Sequence, residues 1–196
     1  MNKKFLSRRE SIILCCIDII NEVGIGELST REIGKRQEVS EAALYKHFKS
    51  KNEIIMEVIN YYSLYDLKII RAVVEKDLNA KEKALYFARC LLEYYENYPA
   101  ITAITEMVYC NDILKLGSNL DEKMQDVKAK RRQFLAEVIE QGKLSGEIKS
   151  KIESDDISII IMGTIIENIL RWRSSNYSFS LSQKTMKVLK DLLDVF

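Results

Sequence analysis

A single proline and seven glycines in 196 residues leave this chain too few turn-formers for an all-β or loop-rich fold. One histidine and four cysteines without a Cys-x-x-Cys pair (Cys15, Cys16, Cys90 and Cys110) assemble no zinc cluster. No metal is expected, and the cysteines read as buried free thiols. The chain also lacks a Ser/His/Asp set, a phosphate loop and a metal motif. Glu106, Asp112, Asp155 and Asp156 are ordinary residues for helix ends and solvated faces, so the expectation is a non-enzyme without a cofactor. Long apolar runs are missing too: the greasiest, Ile157 to Ile166, spans about ten residues and is broken by Ser158 and Gly163, whereas a bilayer span needs about twenty. The N-terminus has no apolar signal-peptide core, and unpaired cysteines suit a reducing compartment. A cytoplasmic protein with no membrane partner is expected.

What is present is a 3.6-residue apolar rhythm through almost the whole chain, in a composition that is 47% hydrophobic. The fold class is all-α. The spacing predicts a first helix from about Leu6 to Val23, stopped by Gly24, then two short helices over Thr30 to Gln37 and Glu41 to Phe48. Ser50 caps a long helix running to about Lys76, which spans roughly 39 Å at 1.5 Å per residue and can join a head to a body. Further helices are expected over Ala80 to Tyr98, Pro99 to Asn111, Leu120 to Gly142, Asp155 to Arg173 and Ser180 to Phe196. The division drawn is a head at 1–51 and a body at 52–196. Charge follows it: the first 51 residues hold ten Lys/Arg against seven Asp/Glu, and the remainder twenty against twenty-two. Lys3, Lys4, Arg8 and Arg9 are placed as an arm or backbone contact ahead of the first helix.

Residues 24 to 51 read as a helix-turn-helix. Ser29 or Thr30 caps its first helix, in which Ile33 faces the core while Arg31, Lys35 and Arg36 stay in water. Ser40 caps the second, in which Ala43, Leu44 and Phe48 face inward and Tyr45, Lys46 and His47 outward. The second helix is the candidate recognition helix. Small Ala42 and Ala43 let its first turn approach a major groove and touch thymine methyls, while Tyr45, Lys46, His47 and Lys51 hold phosphates.

With Asn-Glu-Val-Gly-Ile before the motif, then Ser-Thr-Arg-Glu-Ile, Val-Ser-Glu-Ala-Ala-Leu-Tyr-Lys-His-Phe and Lys-Ser-Lys, residues 8 to 55 resemble the N-terminal DNA-binding domain of the tetracycline-repressor (TetR) family. The resemblance implies phosphate contacts at Thr30, Tyr45, His47 and Lys51, and base contacts at Arg31, Glu41, Ala42 and Lys46. Two positions depart from the family's pattern: the turn, usually Ala-Gly-Val-Ser, is Gln37-Glu38-Val39-Ser40, and the usual alanine after Ile33 is Gly34. Glu38 falls where a glycine commonly relieves a positive φ, at a cost of about 1 kcal/mol if that geometry is kept.

The last two helices carry more apolar surface than one protomer's core needs. Nine apolar residues between Ile157 and Leu170 wrap most of the first, and Leu181, Met186, Val188, Leu189, Leu192, Leu193 and Val195 stripe the second. Pairing both with a symmetry mate gives a four-helix homodimer interface, the arrangement that the resemblance also implies. The expected function is a repressor that binds a near-palindromic double-stranded DNA operator and is released by a small, mostly apolar effector. The effector is expected between the long helix, the Ala80 to Asn111 region and the Asp155 to Arg173 helix, with Tyr94, Tyr98, Met107, Tyr109, Cys110 and Trp172 among its contacts. The alternative is a DNA-binding architectural or protein-interaction factor of the same fold that needs no effector.

Overall fold

The computed structural model describes residues 7–109 and 118–196. Lys3, Lys4, Cys110 and Asn111, together with the Met107 side chain, lie outside what is described. Helix α1 (Arg8–Val23) opens on a capping box between Ser7 and Glu10 and stops at Gly24, whose φ of 85° suits glycine. Serines also start the next three helices, and their hydroxyls accept from the third backbone N–H beyond: Ser29 for α2 (Thr30–Gln37), Ser40 for α3 (Glu41–Leu44) and Ser50 for α4 (Lys51–Val74). The cap of α2 is therefore Ser29 and not Thr30.

The first four helices pack as a head around Cys16, Ile20, Leu28, Ile33, Leu44 and Phe48, with Ile54, Ile55 and Val58 of α4 closing the base. The 24 residues of α4 extend about 36 Å, so its first half belongs to that core while Tyr62, Asp66, Ile69 and Val73 are buried in the body. The candidate recognition helix is shorter than its sequence pattern suggests. Regular α-helix ends at Leu44 and a turn continues over 45–47, because buried Phe48 draws the chain inward and Arg9 takes the His47 carbonyl.

The body contains α5 (Ala80–Asn97), a 3₁₀ turn (Pro99–Ile101), α6 (Thr102–Tyr109), α7 (Ser118–Leu144), α8 (Ser154–Ser174) and α9 (Leu181–Val195). Asn79 and Glu82 cap α5 reciprocally, and Glu147 accepts from the Ala80 and Lys81 N–H groups, satisfying donors that a helix start leaves free. Helix α7 packs on α8, and α5 lies against α4, α7 and α9. Gly142 is needed at the α5–α7 crossing, where a Cβ would sit 2.7 Å from that of Ala80. An ion pair is sealed in this core. Arg131 of α7 grips Asp66 of α4 through two hydrogen bonds of 2.9 and 2.7 Å, both residues almost wholly buried. Burial works to lower the Arg131 pKa, but Asp66, Tyr95 and Tyr109 raise it well above the ordinary arginine value, so the guanidinium stays charged.

Candidate nucleic-acid interface

The turn between α2 and α3 keeps the left-handed geometry that glycine usually supplies. Glu38 sits at φ 54° and ψ 42° and ends α2 with its N–H on the Gly34 and Lys35 carbonyls. Gly34 is tied to the same feature: the Val39 N–H donates to its carbonyl at 2.9 Å, and a Cβ there would lie 2.7 Å from the Val39 oxygen. The two departures from the family pattern are therefore neighbours in space, with glycine at the close approach and a non-glycine at the positive φ.

Beyond that turn, Arg31, Glu41, Ala42, Tyr45, Lys46 and His47 are exposed, and Thr30 and Lys51 are half-buried at the rim of the same face. Leu44 and Phe48 are fully buried and Ala43 is half-buried, so the alternation read from sequence has the correct phase. The Thr30 hydroxyl donates to the Glu41 carboxylate at 2.5 Å, which joins an expected phosphate contact to an expected base contact across the two helices. A carboxylate here also places negative charge where a phosphate would approach. Nothing in the spacing shows that link; the capping serines in front of each helix draw attention instead.

The basic residues divide into two groups. Arg36 is held by Glu22 at 2.6 Å and Glu32 at 2.8 Å, and both carboxyls are lowered from the ordinary glutamate range, chiefly by its hydrogen bonds. Arg9 meets Glu53 and Glu57 at 3.1 Å each, lies over the Phe48 ring at 4.3 Å and donates to the His47 carbonyl. Arg8 donates to the Gln37 carbonyl at 3.1 Å. The placement of Arg8 and Arg9 as an arm is therefore corrected: both lie within α1, and their side chains fasten the reading turn to the rest of the head. Glu53 is lowered first by the Lys49 N–H and then by Arg9, so the clamp is ionic at neutral pH.

Of the residues expected to touch an effector, Tyr94, Tyr98, Tyr109 and Trp172 are described, and these four do not share one pocket. Tyr94 and Tyr98 share an open cavity of about 590 Å³ between α1, α4 and the end of α5. Tyr109 borders a separate groove between α7 and α8, where Lys128 lies 5.3 Å from its ring centre. Trp172 is buried under the α8–α9 loop, donating to the Phe179 carbonyl at 2.8 Å and meeting the Tyr177 ring edge-on. The space between these places is filled by the Asp66–Arg131 pair and by Tyr62 and Tyr95, whose hydroxyls both bond to Thr105. Among the described residues, no three His, Cys, Asp or Glu side chains converge as a metal site, and no helix is long and apolar enough to cross a membrane.

A helix-turn-helix head carried on a long helix into an all-helical body defines a DNA-binding transcriptional regulator. Residues 17–58 match the family of bacterial regulatory proteins described as the tetR family, and residues 66–195 match the YsiA-like protein, C-terminal region. The chain belongs to the TetR family. It is 23% identical over 184 residues to the fatty acid metabolism regulator protein of Bacillus subtilis, covering 93% of this chain and 92% of that one. Nucleoid occlusion factor SlmA of Vibrio campbellii is 23% identical over 181 residues, 90% of this chain and 89% of SlmA. Among solved structures, FadR of Bacillus subtilis in complex with stearoyl-CoA aligns with a TM-score of 0.81 at 21% identity, covering 93% of this chain and 96% of that one. FadR of Bacillus halodurans aligns with a TM-score of 0.83 at 18% identity, covering 97% of each. The Bacillus proteins are regulators by name, and SlmA is a nucleoid occlusion factor.

Proposed function

We propose that this regulator is a homodimeric repressor that binds a near-palindromic operator and leaves it when a small, mostly apolar effector enters the body. The observation that carries the reading is the anchoring of α4 at two points, its first turns and its middle. Arg9, paired with Glu53 and Glu57, couples its N-terminal turns to the reading surface, and Asp66, paired with Arg131, couples its middle to α7. A change in how the body packs around Tyr62 and Asp66 therefore moves the turn that enters DNA. Thr30, Tyr45, His47 and Lys51 act on phosphates, and Arg31, Glu41, Ala42 and Lys46 on bases. The division at 1–51 and 52–196 assigns reading to the first part and control and pairing to the second, with the first turns of α4 packed into the head. A cytoplasmic site of action follows from that role.

The Bacillus subtilis structure with stearoyl-CoA makes a long-chain acyl thioester the first effector to test. Operator binding is titrated by fluorescence anisotropy with and without stearoyl-CoA, followed by a wider panel of apolar metabolites and drugs. Release of the operator by one of them is the expected result, and about a hundredfold loss of affinity corresponds to roughly 2.7 kcal/mol of coupling. The second reading is an effector-independent DNA-binding architectural or protein-interaction factor of the same fold; the similar match to a nucleoid occlusion factor keeps it in view, and an operator affinity indifferent to the whole panel decides for it.

A further inference from the structure

Three helices turn unfilled faces toward one gap where the head meets the body. Helix α1 contributes Leu14, Ile17 and Asp18, a stripe at i, i+3 and i+4. Helix α4 contributes Tyr61, Leu64, Tyr65 and Lys68 in the same rhythm, and the end of α5 repeats it with Tyr94, Asn97 and Tyr98. The space between them measures about 590 Å³, within the range of small-molecule sites. Its rim holds three of the large apolar side chains that solvent reaches: Leu64 is 58% exposed, Tyr98 56% and Tyr61 43%. Stripes with this spacing ordinarily find a partner, and here the described chain supplies none.

We infer that this gap is a binding site for a neutral, planar aromatic molecule of two or three fused rings carrying a hydroxyl or carbonyl. The wall chemistry selects that class. Tyr65 and Tyr94 are already stacked, with centroids 3.5 Å apart and rings 13° from parallel, and Tyr98 stands 5.4 Å from Tyr94. A flat ring system extends that stack, while a polar group on its edge meets the tyrosine hydroxyls and the Asn97 amide. An alkyl chain gains the apolar contact but leaves those polar edges unmatched. Asp18 and Lys68 bring opposite charges to the rim, so neither an anion nor a cation is preferred.

The position gives the site its consequence. One wall, α1, belongs to the reading head, and the other two belong to the lever and the body. A bound ring system would fix the angle between them, and effector control would follow if operator binding requires a different angle. This inference rests on the effector-controlled reading above, and it predicts that occupancy lowers operator affinity.

The full-length protein is titrated with 2-naphthol by isothermal calorimetry, and operator affinity is measured at each naphthol concentration; stearoyl-CoA is run in parallel. Leu64→Trp fills the gap and Tyr98→Ala removes one ring, both at exposed positions that folding tolerates. Expected are one saturable naphthol site per chain, a loss of naphthol affinity of about tenfold or more in each variant, and weaker operator binding on saturation. No saturable binding, binding that Leu64→Trp leaves intact, or binding without an effect on the operator overturns the inference. Displacement of naphthol by stearoyl-CoA with greater loss of affinity in Leu64→Trp overturns the assigned ligand class. Release of operator by stearoyl-CoA alone, equal in wild type and Leu64→Trp, overturns the site but leaves effector control standing. Failure of the ligand-free protein to bind any operator strikes the broader reading instead.

Discussion

Glu38 holds a backbone conformation that costs a non-glycine residue about 1 kcal/mol or more, and nothing around it compensates beyond the two carbonyls its N–H reaches. Glu38→Gly should raise the stability of the head by about 0.5 to 1 kcal/mol, since relief of strain outweighs the extra freedom of the unfolded chain. Thermal unfolding monitored by circular dichroism checks this. Gly34→Ala should act in the opposite direction through its 2.7 Å approach to the Val39 oxygen. On the DNA face, the Thr30–Glu41 bond makes Glu41 the residue with most to reveal. Glu41→Gln keeps an acceptor for Thr30 but removes the charge, so it should strengthen binding several-fold to operator and random DNA alike. Unchanged binding to random DNA would instead give Glu41 a role confined to base reading. Lys51→Ala should weaken both kinds of binding and flatten the dependence of log K on log salt by about one unit. A slope equal to wild type removes Lys51 from the phosphate contacts.

Between elements, polar ties among the described residues secure the body, and one of them carries a pH dependence. Glu96 on α5 receives the Ser182 N–H and the Ser180 and Ser182 hydroxyls, holding the start of α9. Burial pushes its pKa upward, but those hydrogen bonds outweigh it and the net shift is downward. The folded state therefore binds this proton less readily than the unfolded chain does. Its contribution is present above the ordinary glutamate value of about 4.3 and is lost as pH falls through the depressed folded value. Glu96→Gln should cost stability at pH 7, and the difference from wild type should shrink below about pH 4, as followed by urea unfolding across pH. The Asp66–Arg131 pair lies deeper: Asp66→Asn should destabilise by about 3 to 5 kcal/mol because it leaves a fully buried guanidinium unpaired, whereas a paired Asp66→Leu and Arg131→Met replacement should recover most of that loss. Sequence periodicity does contain a sign of this pair. Asp66 falls on the buried stripe with Tyr62, Ile69 and Val73, and Arg131 on the stripe with Phe134, Leu135 and Val138, so each is a charge where an apolar residue belongs. Pairing them requires knowing which helix faces which, and periodicity fixes only a helix's own faces.

For the whole molecule, the same distinction separates what was legible from what was not. Helix existence, the capping residues and the inward phase of Leu44 and Phe48 follow from local spacing, and those features stand in the structure. The Arg9 clamp spans 38 residues to His47 and 44 to Glu53, and the α1–α4–α5 cavity joins residues about 80 positions apart; both depend on tertiary placement that no local pattern carries. The dimer lies between these cases, because the excess apolar surface of α8 and α9 is visible in sequence and the folded chain shows which part of it remains uncovered. Ile157, Ile161, Ile165 and Ile169 are buried in the protomer, but Ile159 is 46% and Ile160 39% exposed, and on α9 Val188 is 46% and Val195 81% exposed while Leu189 and Leu193 are buried. The open position of Gly163, where an added Cβ would meet nothing, lies on the uncovered side of α8. In the proposed homodimer a two-fold axis through this face would pair α8 and α9 with their copies and bring two reading heads to one side of the DNA, about 34 to 36 Å apart when bound. Ile159→Glu combined with Val188→Glu places charge in that seam at positions a lone protomer leaves in water, so helix content should be retained. Sedimentation at micromolar concentration should show a dimer for wild type and a monomer for the double variant, and operator affinity should fall toward that for random DNA because one head alone would read a half-site. A double variant that stays dimeric, or a monomer that binds the full operator as wild type does, would place the interface or the mode of reading elsewhere.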